Sequence, residues 1–464
     1  MKRVFLLLLW LWCDTGFAQQ LPDGPTKKEY DRAVSFLWSN LLNKKVFNVN
    51  IQPIWFQDST GFSFVSQDRN GKVFNKYVFK NGKSELLFDH GRLAKVLTDS
   101  LKSPIAENDL PLTSLAIKNA SHFECTIRGM RYNINLTAYS INKKPSSNNT
   151  NPLESRSPDG KWIAYTENYN LFIKSTTTHT VKPLSTKGFR LYEYGTLYGW
   201  SDIIEHEGGE RPKRLFINWS PDSKWIQTYI TDMRYAKKMY LLDWSIDSLY
   251  KPKLLAYYRG SPGDTDMVKT IPIFYNVETG EEYIKSHRSG THTNPVAYEW
   301  SSEGGIAYQE NAIRGYQSFE IHKCNISQKS EELIHRETST TNIDNFESRL
   351  IEPWGKIIIT SERSGWRQLY VLDIKTKMIS PLTKGNYYVN DVVHIDTSAR
   401  TIYFTASGKD PGRNPYHQYL YKINLVDFKT TLLTPEDANH DISISLDGTY
   451  FIDNMSTLNH PTIS

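Results

Sequence analysis

Ser157-Pro158-Asp159-Gly160-Lys161-Trp162-Ile163-Ala164-Tyr165 joins a turn to a strand in nine residues. Serine at the first turn position, proline at the second and glycine at the fourth are the preferences of a type I turn. The apolar, aromatic run behind it suits a pleated strand. A polar break follows at 168–170, then a second strand at Leu171-Phe172-Ile173 and a third approach at Lys182-Pro183-Leu184. The cassette recurs at Ser220-Pro221-Asp222-Ser223 before Trp225-Ile226. It recurs more loosely at Ser301-Ser302-Glu303-Gly304, Glu352-Pro353-Trp354-Gly355 and Ser445-Leu446-Asp447-Gly448. Weaker copies open at Asp58 and Thr397.

The turn starts at 157, 220, 301, 352, 397 and 445 lie 63, 81, 51, 45 and 48 residues apart. Propeller blades repeat at about 40–50 residues, so the longer gaps carry loop insertions. The 99 residues from Asp58 to Ser157 leave room for one more blade, placed at about 115–138. The expected fold is therefore all-β: an eight-bladed β-propeller over 51–464, with aromatics filling the faces between blades. A β-sandwich has similar turns but no cassette recurring at blade length. The tryptophans Trp219, Trp225, Trp300, Trp354 and Trp366 are then expected as core aromatics rather than ligand platforms.

Thr26 and Glu29 fit a capping box. Tyr30, Ala33, Val34, Leu37 and Leu41 follow one helical face, so residues 19–50 are expected to hold a short N-terminal helix, from about 26 to 42, and a lead-in strand. Residues 1–18 read as a signal peptide. Lys2 and Arg3 precede an apolar run at 4–12, and Gly16-Phe17-Ala18 has a small-x-small pattern, with cleavage after Ala18. An N-terminal anchor is the alternative. The run is short for a bilayer, and no other segment reaches spanning length. Trp12 before Cys13 does not fit a lipobox. The expected location is periplasmic or secreted.

Net charge is +5, from 55 basic and 50 acidic side chains without a long basic run, which gives nucleic-acid binding no support. Beyond the signal, only Cys125 and Cys324 are present. Export permits a disulfide, but two buried thiols are the plainer expectation. The twelve histidines show no ligand-like pairing in sequence, so neither metal nor cofactor is expected.

Longer segments carry a family resemblance. Residues 192–225 read YEYGTLYGWSDIIEHEGGERPKRLFINWSPDSKW; residues 257–264 read YYRGSPGD; residues 361–370 read SERSGWRQLY; residues 412–421 read GRNPYHQYLY. Together with the helix leading into Pro53-Ile54-Trp55-Phe56, they resemble the N-terminal domain of the dipeptidyl peptidase IV branch of the prolyl oligopeptidase family. The resemblance implies an eight-bladed propeller followed by an α/β-hydrolase domain with a Ser-Asp-His triad, its serine in a G-x-S-x-G elbow. No serine here has glycines at that spacing; Gly260-Ser261-Pro262-Gly263 comes nearest. The chain is expected to end before that domain and to be inactive alone.

The resemblance also implies that the propeller recognises the substrate. An acidic pair binds the free amino terminus of a peptide, and the matching segment is Asp202-Ile203-Ile204-Glu205-His206-Glu207. Glu205 and Glu207 are the candidates. They converge only if the backbone is extended. The family's adjacent acidic pair is here split by His206, so a solvated loop paired to Arg211, Lys213 or Arg214 is the alternative. Arg128, a candidate for the substrate carbonyl, has too poor a surrounding match to carry a role. The expected partners are a peptide with a free N-terminus and either a separate hydrolase domain or a second copy of the chain. A free-standing peptide- or protein-binding propeller without chemistry is the other reading.

Overall fold

The computed structural model describes residues 24–144, 151–198, 213–245, 250–285 and 296–464. Residues 1–18, read from the sequence as a signal peptide, and the pair Glu205 and Glu207 lie outside them. The chain divides into two compact units. One takes residues up to 128 together with 133–142; the other takes 129–132 and 143–463.

The fold is all-β, and the described residues form nine antiparallel sheets. Six are four-stranded meanders, over 54–86, 113–143, 154–183, 297–338, 348–381 and 388–432. Sheet 192–284 has five strands, sheet 439–463 has three, and a separate hairpin pairs Met239–Asp243 with Lys253–Tyr257. Each turn read from the sequence joins the first strand of a sheet to the second. Ser157 links Glu154–Arg156 to Trp162–Glu167, Ser301 links Ala297–Trp300 to Ile306–Ala312, and Ser445 links Asn439–Ile444 to Phe451–Thr457. The weakly marked repeat is a full sheet, opening with Thr113–Asn119 and His122–Ile127.

Local chemistry explains the recurrence. In the first cassette the Ser157 hydroxyl donates to Asp159 Oδ1 at 2.7 Å and accepts the Trp162 N–H at 3.0 Å, while the Gly160 N–H closes on the Ser157 carbonyl at 2.9 Å. Ser220 repeats this with Asp222 and Trp225, and Ser445 with Asp447 and Tyr450. The fourth turn residue has positive φ in all three: Gly160 at 75°, Ser223 at 61° and Gly448 at 71°. That conformation explains the preference for glycine there.

Within the second unit, consecutive sheets bury their faces against each other. Ala164, Leu171 and Ile173 of one pack with Ile226, Ile273 and Tyr275 of the next. Ile321 and Ile334 pack with Ile357 and Leu372. Ile358 and Leu369 pack with Ile402 and Phe404. Burying both faces of a meander in this way supplies its main stabilisation. The turns also touch: the Asp159 N–H donates to Ser223 Oγ at 3.0 Å, Ser301 Oγ donates to Glu352, and Trp354 Nε1 donates to the Thr397 carbonyl at 3.1 Å. Trp225 is buried, and Trp219 and Trp300 donate their indole N–H groups to Ser155 and Asn218 of the preceding strands. Trp366 departs from the expectation and is 42% exposed. Both Cys125 and Cys324 are buried.

In the first unit, Lys27–Val34 carries the expected capping box: Thr26 Oγ1 accepts the Glu29 N–H at 3.3 Å, and the Glu29 carboxylate accepts the Thr26 N–H at 2.7 Å. The helix does not run on to 42. Ser35 Oγ donates to the Arg32 carbonyl and Asn40 Nδ2 to the Val34 carbonyl, so side chains take acceptors that a continuing helix needs. A four-residue helix, Trp38–Leu41, follows. Tyr30, Val34, Phe36, Leu37 and Trp38 are half or more exposed. A helix not anticipated from the sequence, His90–Leu101, is capped by Asp89, which accepts the Arg92 N–H at 2.9 Å; it buries Leu93, Ala94 and Leu97.

The turn carboxylates give folding a defined acid response. The Ser157 hydroxyl is the main cause that pushes Asp159 down to about 2, and the Ser445 hydroxyl likewise lowers Asp447. A carboxyl depressed in the folded state contributes stability above its unfolded pKa of about 3.9 and loses it as pH falls toward the folded value. The stability gap between the wild type and Asp159→Asn should therefore be widest above pH ~4 and close toward pH ~2. Urea midpoints across that range provide the check, and a gap independent of pH would contradict the turn assignment.

Candidate functional site

The first strand of sheet 192–284 is interrupted. Tyr192–Tyr194 pairs with Ile230, Thr231 and Asp232, and Asn218–Trp219 pairs with Ile226 and Gln227, all on one continuous strand, Trp225–Asp232. The chain leaves that strand's edge opposite Thr228 and Tyr229. The excursion between the two anchors is described at 195–198 and 213–217; Glu205 and Glu207 fall between these stretches in sequence, outside the described residues.

Both ends of the excursion are held. The Gly195 N–H donates to the Tyr229 carbonyl at 3.0 Å, and the Phe216 N–H to the Gly195 carbonyl at 2.8 Å. Thr231 Oγ1 donates to the Thr196 carbonyl at 3.1 Å. Tyr198 is fully buried among Met233, Tyr258 and Val268, and its hydroxyl donates to the Tyr258 carbonyl at 2.9 Å. The structure thus brings together two stretches singled out in the sequence, 192–225 and 257–264. At the strand's far end Asp232 takes two bonds from the Arg234 guanidinium, which lies 4.2 Å from the Tyr192 ring centre. Burial raises Asp232, but those bonds outweigh it and leave the carboxyl below its ordinary value. Arg128 sits at a hairpin tip with φ 49° and donates to Ser103 Oγ at 3.0 Å.

A cavity of about 430 Å³ carries further negative charge. Glu299, Glu310 and Glu347 line it with Arg349. Burial pushes Glu299 and Glu310 above the usual carboxylate range. Such a surface can attract cations. Cys125 is a poor nucleophile, its thiol pushed up to about 12 by burial. Among the described residues one group offers metal-ligating atoms close together: Glu436, His440 and Asp453, within 4.8 Å of one another. No motif in the sequence marks it, because Asp453 reaches the other two only through strand pairing.

The model of the dipeptidyl peptidase IV N-terminal region matches residues 109–462. The chain belongs to this family. Dipeptidyl peptidase 4 of Arthroderma otae is 27% identical over 166 residues, covering 33% of this chain and 20% of the relative. That of Trichophyton rubrum is 30% identical over 97 residues, covering 20% of this chain and 12% of the relative. Two solved structures share the fold. Porphyromonas gingivalis dipeptidyl peptidase 4 has a TM-score of 0.56 at 16% identity, over 89% of this chain and 57% of that one. A putative dipeptidyl aminopeptidase IV from Bacteroides ovatus has 0.58 at 17%, over 90% and 58%. The chain thus spans somewhat over half the length of these structures. In this dipeptidyl peptidase IV N-terminal region, the strand Tyr192–Tyr194 ends at a tightly packed glycine.

Gly195 has φ 73°, and a Cβ there would lie 2.5 Å from Thr166 Cγ2. Gly195→Ala should destabilise the chain by roughly 1–3 kcal/mol, from the disfavoured φ and the clash. Adding Thr166→Ser, which removes the opposing methyl, should restore part of that. Denaturant unfolding measures both steps; an unchanged midpoint in Gly195→Ala would show that the loop base is not fixed as described.

Proposed function

We propose that this chain is the substrate-recognition domain of an exported, dipeptidyl peptidase IV-like serine peptidase, built as an eight-bladed propeller and non-catalytic in itself. Eight of the nine sheets among the described residues, all but the lone hairpin, follow one another in chain order and support the blade count. The observation that carries the functional reading is the interrupted strand: two fixed anchors on one strand of a family member flank, in sequence, the acidic residues Glu205 and Glu207.

Glu205 and Glu207 bind the α-ammonium of a peptide. Two carboxylates on one ammonium make charge-assisted hydrogen bonds, and residues two apart face the same way on extended backbone. Catalysis belongs to an α/β-hydrolase domain acting with this one. With the recognition residues alone, affinity is weak, toward the millimolar end. It falls with salt, and it falls as the α-amino group deprotonates above pH ~8. Titration of a short Ala-Pro peptide against the wild type and Glu205→Gln, Glu207→Gln, with the N-acetylated peptide as control, tests this. Equal binding of free and acetylated peptide, or no loss in the double variant, would leave these carboxylates as a solvated loop. Binding unaffected by either change would favour a free-standing module with another site.

A second copy of the chain is the proposed protein partner. The hairpin Met239–Asp243 with Lys253–Tyr257 pairs with no other strand among the described residues. It exposes Tyr240, Leu241 and Leu242, beside Trp244 at 71%. A lone two-stranded hairpin is marginal in water, and its open edges suit an isologous pairing across a two-fold axis. Sedimentation should show a dimer that Leu242→Asp dissociates; a wild-type monomer at high concentration would rule this pairing out.

A further inference from the structure

His440 is fully buried in the last sheet, where Asn439–Ile444 pairs with Phe451–Thr457. Its Nε2 lies 3.0 Å from the Glu436 backbone carbonyl, and its Nδ1 lies 2.7 Å from Asp453 Oδ2. A carbonyl can only accept, so Nε2 carries a hydrogen. In the neutral ring, Nδ1 then presents a lone pair to a carboxylate oxygen. Two acceptors at that distance need a positive centre between them, either a proton or a metal ion.

Three further observations favour the metal. Asp453 Oδ1 is buried without a hydrogen-bond partner, which is costly for a carboxylate oxygen and is relieved by a cation. The Glu436 side chain, on the connection into the same strand, is exposed and brings a third ligand atom within 4.8 Å of the other two. A ring N–H donated to a backbone carbonyl is the usual support of a metal-ligating histidine. The Tyr419 ring, 5.4 Å from the imidazole centre, packs beside it.

We propose that Glu436, His440 Nδ1 and Asp453 bind a zinc ion. One imidazole and two carboxylates suit zinc, whereas calcium takes six to eight oxygens. With a neutral imidazole the two carboxylates balance the charge of Zn²⁺. Tetrahedral bonds of about 2.0 Å set ligand atoms roughly 3.3 Å apart, so Asp453 shifts from His440 by about half an ångström when zinc enters. The ion clips the connection before Asn439–Ile444 to the strand that follows it. Three protein ligands leave a position for water, so the site is a stabilising clip with an exposed side.

The test uses the purified chain, stripped with chelator and titrated with zinc chloride or calcium chloride by calorimetry, with thermal unfolding in parallel. One zinc per chain, a midpoint raised by zinc and no response to calcium are expected. Glu436→Gln changes an exposed side chain, so it should leave the metal-free midpoint unchanged while weakening zinc binding about tenfold or more. Asp453→Asn should weaken it further; if that variant does not fold, Glu436→Gln decides alone. Absence of zinc uptake, or equal uptake by the wild type and Glu436→Gln, would overturn the proposal and leave a proton between His440 and Asp453.

Discussion

The architecture depends on a serine hydroxyl that accepts the N–H of the residue five positions later while donating to the aspartate between. At Ser157, Ser220 and Ser445 this closes the link from the first strand of a sheet to the second. The same turns reach outward to their neighbours, as Asp159 does to Ser223 and Ser301 does to Glu352. A meander with apolar side chains on both faces cannot stand alone in water, so it must lie between two others. Turn-to-turn contacts fix how successive sheets stack while the interfaces between them fill. Gly304 shows how close the stacking is: a Cβ there would meet the Asp222 carboxylate at 2.5 Å.

Much of this was legible because its chemistry is local. Ser, Asp and Gly in the turn declare a hydroxyl bridge and a positive φ within four residues, so the positions of the turns and the all-β class followed directly. Helix His90–Leu101 was equally local, with Asp89 as its cap and Leu93 and Leu97 on one face. It falls in the long interval from Asp58 to Ser157, which blade spacing fills with a blade alone. The expected continuous helix at 26–42 failed because periodicity records spacing and does not reveal that Ser35 and Asn40 compete for backbone carbonyls.

The candidate sites divide in the same way. Likeness to a family singled out 192–225 and 257–264 as separate stretches, and only the fold joins them, through Tyr198 and Tyr258. His440 and Asp453 lie thirteen residues apart, with no motif between them. Their meeting follows from a hairpin register, which no spacing rule for metal ligands covers. Export, the acidic pair and the complete ring of blades remain readings of sequence and family.

The interrupted strand has a consequence for how such a domain can change over time. Both anchors of the excursion are registered on Trp225–Asp232, which is continuous and buried along its whole length. Residues gained or lost between the anchors therefore shift no pairing in the sheet. Doubling the length of such an excursion adds only about 0.6 kcal/mol of closure entropy. Lineages can lengthen, shorten or recharge this insertion while the pairing along Trp225–Asp232 stays the same.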